Sequence, residues 1–472
     1  MLELRCSYTV RFESGEFMNV SQSNENDRYS QPPTSDRLSV PAGMANRGID
    51  SESRSLLESL GSQLGATVNF AGMVENVRDF KHHAFVILRD RSAVVQGVVS
   101  KDSGIKVPAV GIFVEGSGTV TPNSKAPAGY EIGITAMKAV SASKDLAPVP
   151  FDRPISSSLD YQLDNRAVVL RNKVVQAAFK VQARVGSVFR STMEELGFLE
   201  IHTPKIVSGG TEGGAEVFKI NYFDQPASLA QSPQLYKQIS AGAFERVYEI
   251  GPVFRAETSF TSHHMTEFIG LDYEMTMIRD QHDVMDVQEK YIRNLVEKLR
   301  EHESDQLALL GVNLPEIDVI PRISWNDADR LVDKHNTRAA DVKWDKSVGI
   351  AVQKEFGVDF VFVYGYPEEE KPFYIMPSEK VGYTESFDLL FRGLEISSGG
   401  QRVHDFDQLV ERMTERGLRL EDNPGYLQAY RSGMPPHGGA GVGLERLVQR
   451  LTGISNIRQV SLFPRDPARV LP

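Results

Sequence analysis

The chain has 472 residues, 41% of them hydrophobic and 24% charged, with a formal net charge of −11 at pH 7. That composition fits a globular protein of more than one domain with a real core, and it excludes a protein that holds nucleic acid by bulk positive charge. Cys6 is the one cysteine, so disulfides and a Cys-rich zinc site are excluded; with no apolar run of about eighteen residues to span a membrane, the expectation is a cytoplasmic protein without zinc or membrane contact.

Residues 1–62 are rich in Ser, Asn, Gln and Arg, contain no lysine and show no sustained period, which predicts a disordered N-terminal extension. Its acidic residues, Glu3, Glu13, Glu16 and Glu25 among them, count against a transit peptide. Over 63–150 five runs of β-branched and aromatic residues, from VNFAGMVENV to YEIGITAMKAV, are broken by Gly, Asp, Asn and Pro. They predict a five-stranded barrel of the OB type, a fold that holds single-stranded nucleic acid by stacking bases on rings. The Pro- and Asp-containing stretch 151–168 reads as a linker. In the remaining domain, 169–472, Val174, Ala178, Val181, Val185 and Val188 recur at steps of four and three, a one-faced helical stripe that Gly197 would stop. Such a stripe packs either on the chain's own core or on a second subunit. Strand-like runs RVYEIGPVF, FIGLDYEM, DFVFVYGY, ESFDLLF and LEISSGG, with helical stretches between them, predict an antiparallel sheet flanked by helices and hence an α+β chain.

No G-x-x-x-x-G-K-[ST] and no strand-closing G-x-G-x-x-G occurs, so any phosphate must be held without a glycine-rich helix mouth. Arginine suits that task, because its planar fork meets two phosphate oxygens and never loses its charge. Arg255 follows an apolar strand-like run, and Arg446 lies on a helix entered through glycines. Asp388 and Glu395 are hard oxygen donors suited to Mg²⁺ bridging phosphates, with an ordinary solvated rim as the alternative.

FRAE followed by HHMTEF and GLDYEM resembles motif 2 of the class II aminoacyl-tRNA synthetases, GAGVGLER resembles motif 3, and GFLEIHTPKIV resembles motif 1. Together with TEGGAEVF, QSPQLYKQ, KPFYIMP, SGGQRVHDFDQLVERM and FPRDP, these motifs resemble the aspartyl-tRNA synthetases of the archaeal and eukaryotic cytosolic type, from about residue 65 onward. The resemblance implies a homodimer that binds ATP and Mg²⁺, activates L-aspartate as an adenylate, and transfers it to the terminal 3′-hydroxyl of tRNA(Asp). It puts Arg255 on the α-phosphate and Arg446 on the far phosphate, both as catalytic groups. Glu257, His264, Phe268 and Glu395 join them at ATP, with Asp388 and Glu395 on the metal. Lys237 and Arg402, both braced by Asp272, would meet the substrate β-carboxylate; Ser398 lies beside them, and Glu212 and Gln234 would receive the α-ammonium. Glu212 falls in a glycine-rich segment that reads as a lid. Phe85, Gln96 and Glu131 match anticodon contacts, although a Phe in a strand is ordinarily core. One departure is His263, where relatives usually carry Arg. An asparagine-specific or relaxed synthetase, and an RNA-binding paralogue without catalysis, remain as other readings.

Overall fold

Alternation of apolar and polar residues closes the first part of the chain into a barrel. In the computed structural model, which describes residues 53–140, 143–208, 217–258, 261–339 and 341–471, its strands are β1 (Thr67–Asp79), β2 (His83–Arg89), β3 (Val94–Ser100), β4 (Phe113–Pro122) and β5 (Tyr130–Ala139). They pair in the order β1-β2-β3-β5-β4, and β1 closes on β4. β2 and β3 bury every second residue, so Val86, Leu88, Val95 and Val99 fill the interior. Most of the predicted extension, residues 1–52, lies outside the described residues. Its last part does not behave as a disordered tail: Leu57–Ser62 forms a 3₁₀ helix whose Leu57 and Leu60 are fully buried in the barrel core.

The stretch read as a linker carries two short helices, α1 (Leu159–Asp164) and α2 (Arg166–Val169). Phe151 and Val169 pack with Met73 of β1, which ties the barrel to the start of the second domain. α3 (Lys173–Glu195) is N-capped by Asn172, whose side chain accepts from the amides of Val174 and Val175. It ends as its sequence demands: Gly197 takes φ 78°, and the amides of Gly197 and Phe198 return to the carbonyls of Glu194 and Met193, a Schellman closure. Ala178, Val181, Val185 and Val188 are buried in the main core, so most of the stripe packs within the chain.

Beyond α3 come β6 (Leu199–Glu200), a small sheet of β7 (Ile206–Val207), β8 (Lys219–Tyr222) and β9 (Gln225–Leu229), then α4 (Gln234–Phe244), β10 (Arg246–Phe254) and β11 (Glu267–Thr276). α5 (Gln281–His302), α6 (Ser304–Leu310), β12 (Arg322–Ser324), α7 (Trp325–Lys334), α8 (Trp344–Phe356), β13 (Phe360–Tyr364), β14 (Ser386–Phe391) and β15 (Leu394–Gln401) come next. α9 (Phe406–Glu415), α10 (Pro424–Arg431), β16 (His437–Gly443) and α11 (Leu444–Thr452) complete the order. The large sheet runs β12-β13-β14-β15-β16-β11-β10-β6. Its central pairings are antiparallel as predicted, whereas the two edge pairings, β12 with β13 and β6 with β10, are parallel. α3, α5 and α11 cover one face through the main core, and α4 packs against β10 and β11 on the other. Among the described residues no helix is long and apolar enough to cross a membrane.

Residues 457–465 fasten α2 and the β10–β11 loop to the second domain. Arg166 donates to the carbonyls of Gln459, Ser461 and Leu462, and burial lowers its pKa to about 10. Further along, the Arg465 carbonyl accepts from the Thr266 amide, and the Ser262 carbonyl accepts from the Ile457 amide. Phe189, fully buried, meets Tyr248 and Tyr291 edge-on with ring centroids 5.9 and 5.1 Å away. Phe189→Ala should therefore lower stability by about 3–5 kcal/mol, read as a lower urea midpoint for the second domain.

Candidate active site

The face of the sheet that meets α4 is built from strand alternation. Along β11, Phe268, Gly270, Asp272 and Glu274 share one face. Across the antiparallel pairing, Gly270, Asp272 and Glu274 meet Gly443, Gly441 and Gly439 of β16. A Cβ at Gly439 would lie 2.1 Å from the Tyr273 carbonyl oxygen and 2.3 Å from Glu274 Oε2, and one at Gly441 would lie 3.0 Å from Asp272 Oδ1. The glycines of this strand are thus the space into which two carboxylates fold.

Those carboxylates hold two buried cations. Lys237, from α4 and 2% exposed, donates to Asp272 Oδ1 at 2.9 Å and to the Ala440 carbonyl at 3.3 Å, with Glu274 Oε2 3.5 Å away. Arg402, just past β15, donates through Nε and Nη2 to the two oxygens of Glu274 at 2.8 and 3.2 Å, and through Nη2 to the Gly439 carbonyl at 2.9 Å. The expectation that Asp272 braces both cations is corrected on this point: Asp272 braces Lys237, and Glu274 braces Arg402. Burial alone would raise the pKa of Glu274, but Arg402 and then Lys237 outweigh it and hold the carboxyl below its usual range. Burial likewise works against the Arg402 charge, and Glu274 more than restores it. The signal for Glu274 was its position two residues beyond Asp272 on the same face. Behind this pair His437, pushed down to about 4 by burial, is held by Gln238, Tyr430 and the Pro435 carbonyl.

Gln234 opens α4 and is 5% exposed; its Nε2 has no hydrogen-bond partner among the described residues. Ser398 of β15 sits opposite both Asp388 and Gly441. Glu212 and the glycine-rich segment around it lie outside the described residues.

Arg255 comes directly after the last residue of β10. Its amide donates to the Thr266 carbonyl, and its guanidinium carbon lies 5.6 Å from the Phe268 ring centroid. Nε of Arg255 is buried without a hydrogen-bond partner among the described residues. In the β10–β11 loop, His264 Nδ1 is 2.5 Å from Thr261 Oγ1. Burial and then the charge of Arg446 hold its pKa down, so its ring is neutral at pH 7. His263 Nδ1 is 3.0 Å from Oε1 of Gln449 on α11, whose Nε2 donates back to the Ser262 carbonyl. The histidine at the Arg position therefore ties the loop to α11.

Arg446, in the first turn of α11, donates through Nη1 to the Glu395 carbonyl at 3.2 Å and lies 3.7 Å from Glu395 Oε1. Asp388 on β14 accepts from Lys371 Nζ at both oxygens, 2.9 and 3.0 Å away; this lysine opens the KPFYIMP motif, in which its position alone assigns it no role. Arg255 and Arg446, from remote parts of the chain, border one cavity of about 660 Å³, within the range of small-molecule sites. Lys237, Asp272, Arg402, Gln234 and Ser398 line it together with Glu257, His264, Phe268, Asp388 and Glu395. Asp388 and Glu395 form a donor set that fits Mg²⁺, which binds through one or two carboxylates together with substrate phosphates. Among the described residues no group of three His, Cys, Asp or Glu is placed to hold a metal unaided.

The barrel carries the other predicted contacts. Phe85 is half-buried on the outer side of β2 rather than in the core, edge-on to Phe80 and His83 at 5.5 and 4.8 Å. Gln96 and Glu131 are partners in the β3–β5 pairing, and Glu131 Oε2 accepts from both Gln96 and Asn123 at 2.8 Å. Phe80 and His83, which the sequence reading did not single out, complete this aromatic cluster beside Phe85.

Residues 158–467 match the family of class II tRNA synthetases (D, K and N). The chain belongs to that family, whose members in general use ATP and Mg²⁺. It is 41% identical to the Aspartate--tRNA(Asp/Asn) ligase of Deinococcus radiodurans, over 89% of this chain and 99% of that protein. It is 40% identical to the Aspartate--tRNA(Asp) ligase of Pyrococcus horikoshii, over 86% and 97%. Among solved structures, asparaginyl-tRNA synthetase of Pyrococcus horikoshii complexed with asparaginyl-adenylate superposes with a TM-score of 0.82 at 30% identity, covering 89% of this chain and 99% of that one. The aspartyl-tRNA synthetase of Entamoeba histolytica gives 0.78 at 29%, covering 89% and 93%.

Gly439→Ala should force β11 and β16 apart at Glu274 and destabilise the chain by about 1–3 kcal/mol, read as a lower melting temperature. Glu445, 5% exposed and accepting from the Ile269 amide, is raised by burial to about 7. Between an unfolded value of about 4.5 and that folded value the native form keeps a proton the unfolded form has released, so stability falls as pH rises through about 7. Glu445→Gln cannot ionise and should remove about 3 kcal/mol of that fall, measured by urea unfolding at pH 5 and pH 8.

Proposed function

We propose that this chain is an aspartate–tRNA ligase: it activates L-aspartate with ATP and transfers the aspartyl group to tRNA(Asp). The observation that carries the reading is the pair of buried cations, Lys237 and Arg402, at the edge of a cavity that Arg255 and Arg446 also border. Nη1 of Arg402 is not used in its bonds to Glu274 and Gly439, so it is available to a ligand carboxylate. An amide in that position would present a donor to two donors and leave them poorly compensated. The names of the relatives at about 40% identity agree with aspartate as substrate.

In the first step an oxygen of the α-carboxylate bonds to the α-phosphorus of ATP and the bond to the leaving pyrophosphate oxygen breaks. Two anions are brought together, so positioning and charge neutralisation provide the catalysis and no protein nucleophile is required. Arg255, stacked on the Phe268 side with a free Nε, is suited to the α-phosphate, and Arg446 to the far phosphate of a bent ATP. Phe268 offers a face to adenine, and Glu257 and His264 border the same nucleotide. Mg²⁺ held by Asp388 and Glu395 would neutralise charge on the phosphates. Gln234, with Glu212, would receive the α-ammonium, and Ser398 would line the aspartate side. In the second step the 3′-hydroxyl oxygen of the terminal adenosine bonds to the aspartyl carbonyl carbon, and AMP leaves. Phe85, Gln96 and Glu131 would hold the anticodon on the barrel's outer side. A homodimer is proposed from the family resemblance, and the exposure of Leu199 and Ile206, 49% and 47%, beside Pro204 supports an apolar contact there.

Aspartate-dependent exchange between ATP and pyrophosphate should exceed the asparagine-dependent rate by at least about 100-fold in kcat/KM; equal rates would overturn the side-chain assignment. Arg255→Ala should lower exchange roughly 100- to 1,000-fold with an unchanged circular dichroism spectrum, and Lys237→Met should chiefly erode the preference for aspartate. Charging assays with purified tRNA(Asp) and tRNA(Asn) separate a strict enzyme from a relaxed one.

A further inference from the structure

The two carboxylates at the nucleotide end of the cavity are not equivalent. Glu395 is 39% exposed at its side chain and has Arg446 only at 3.7 Å, whereas Asp388 is 10% exposed and grips Lys371, itself 10% exposed, through both oxygens. The lysine backbone is fixed, since its carbonyl accepts from Arg416 Nη2 at 3.0 Å. In that same position its ammonium sits 3.9 Å from the centroid of the Tyr366 ring, a contact that adds to the hold on the cation.

We propose that Lys371 is a resident counter-cation for Asp388 that makes divalent-cation entry conditional on nucleotide. A buried carboxylate already paired with an ammonium gains little from a second cation, and displacing the ammonium into the cavity strands its charge. Arriving phosphates change that balance, because they give Lys371 a new anionic partner and free both Asp388 oxygens at the same moment. Lys371 is a positioning residue in this scheme: it moves between two anions and takes no part in bond making. The second half of the scheme rests on the proposed nucleotide site. The first half, the suppression of cation binding in the free protein, does not depend on which substrate is used.

The test is Mn²⁺ binding to the full chain, monitored by electron paramagnetic resonance without nucleotide and then with ATP alone. The unsubstituted protein should bind Mn²⁺ weakly alone and markedly better with ATP. Lys371→Met should bind it about ten-fold more tightly without nucleotide, Lys371→Arg should not, and adding Asp388→Asn to Lys371→Met should erase the gain. No gain in Lys371→Met with an unchanged melting curve overturns the proposal, as does a gain that survives loss of Asp388. Aspartate-dependent exchange failing while the Mn²⁺ pattern holds would refute the substrate reading and leave this inference standing.

Discussion

Burying two positive charges side by side is costly unless carboxylates come within bonding distance of them, and here they do so across a strand rich in glycine. The Lys237–Asp272 and Glu274–Arg402 pairs, the close approach of β11 to β16, and the glycines of HGGAGVG form one constraint seen from three sides. Relaxing any of them leaves an uncompensated charge in a place where neighbouring atoms cannot move to screen it. That coupling fixes both cations at the cavity wall: Asp272 holds Lys237, and Glu274 holds Arg402.

The other end of the cavity obeys a looser rule. Arg255, His264, Glu395 and Arg446 come from separate elements and are joined by few bonds. Arg255 Nε has no hydrogen-bond partner among the described residues, and Arg446 touches Glu395 chiefly through its backbone carbonyl. A rigid half beside an under-bonded half suits a site in which one ligand is recognised by its charge and the other is polarised during reaction, because unspent donors are the ones that strengthen as charge develops. His263 and Gln449 supply a mechanical link within this half, fastening the histidine loop to the helix that carries Arg446.

The parts visible in the sequence were those whose signal is local or periodic. The five barrel runs alternate on their own terms, the α3 stripe and its Gly197 closure are helical arithmetic, and Arg255, Lys237 and Arg446 stand in ordered motifs. What escaped depended on partners distant in the chain. β16 is a strand without side-chain pattern, because its glycines are chosen by Asp272 and Glu274 some 165 residues earlier. Glu274 and Lys371 stand in GLDYEM and KPFYIMP, but no role attaches to either until Arg402 and Asp388 are brought beside them. Leu57 and Leu60 look like apolar residues in a polar tail until a barrel end requires a plug, and the stripe on α3 cannot declare whether its partner is α5 or another subunit. Contacts between segments distant in the chain, not composition, decided each of these.

The hold of Arg166 on residues 459–462, with the Thr266 amide bonded to the Arg465 carbonyl, has a consequence for biogenesis. A polypeptide emerging from the ribosome can assemble its barrel early, since those contacts are short in sequence. Its histidine loop lacks this part of its backing until α11 and the stretch around residue 465 have been translated. Two neighbouring elements of the future reaction chamber are thus separated by some two hundred residues of synthesis, and the loop settles only when the later one appears.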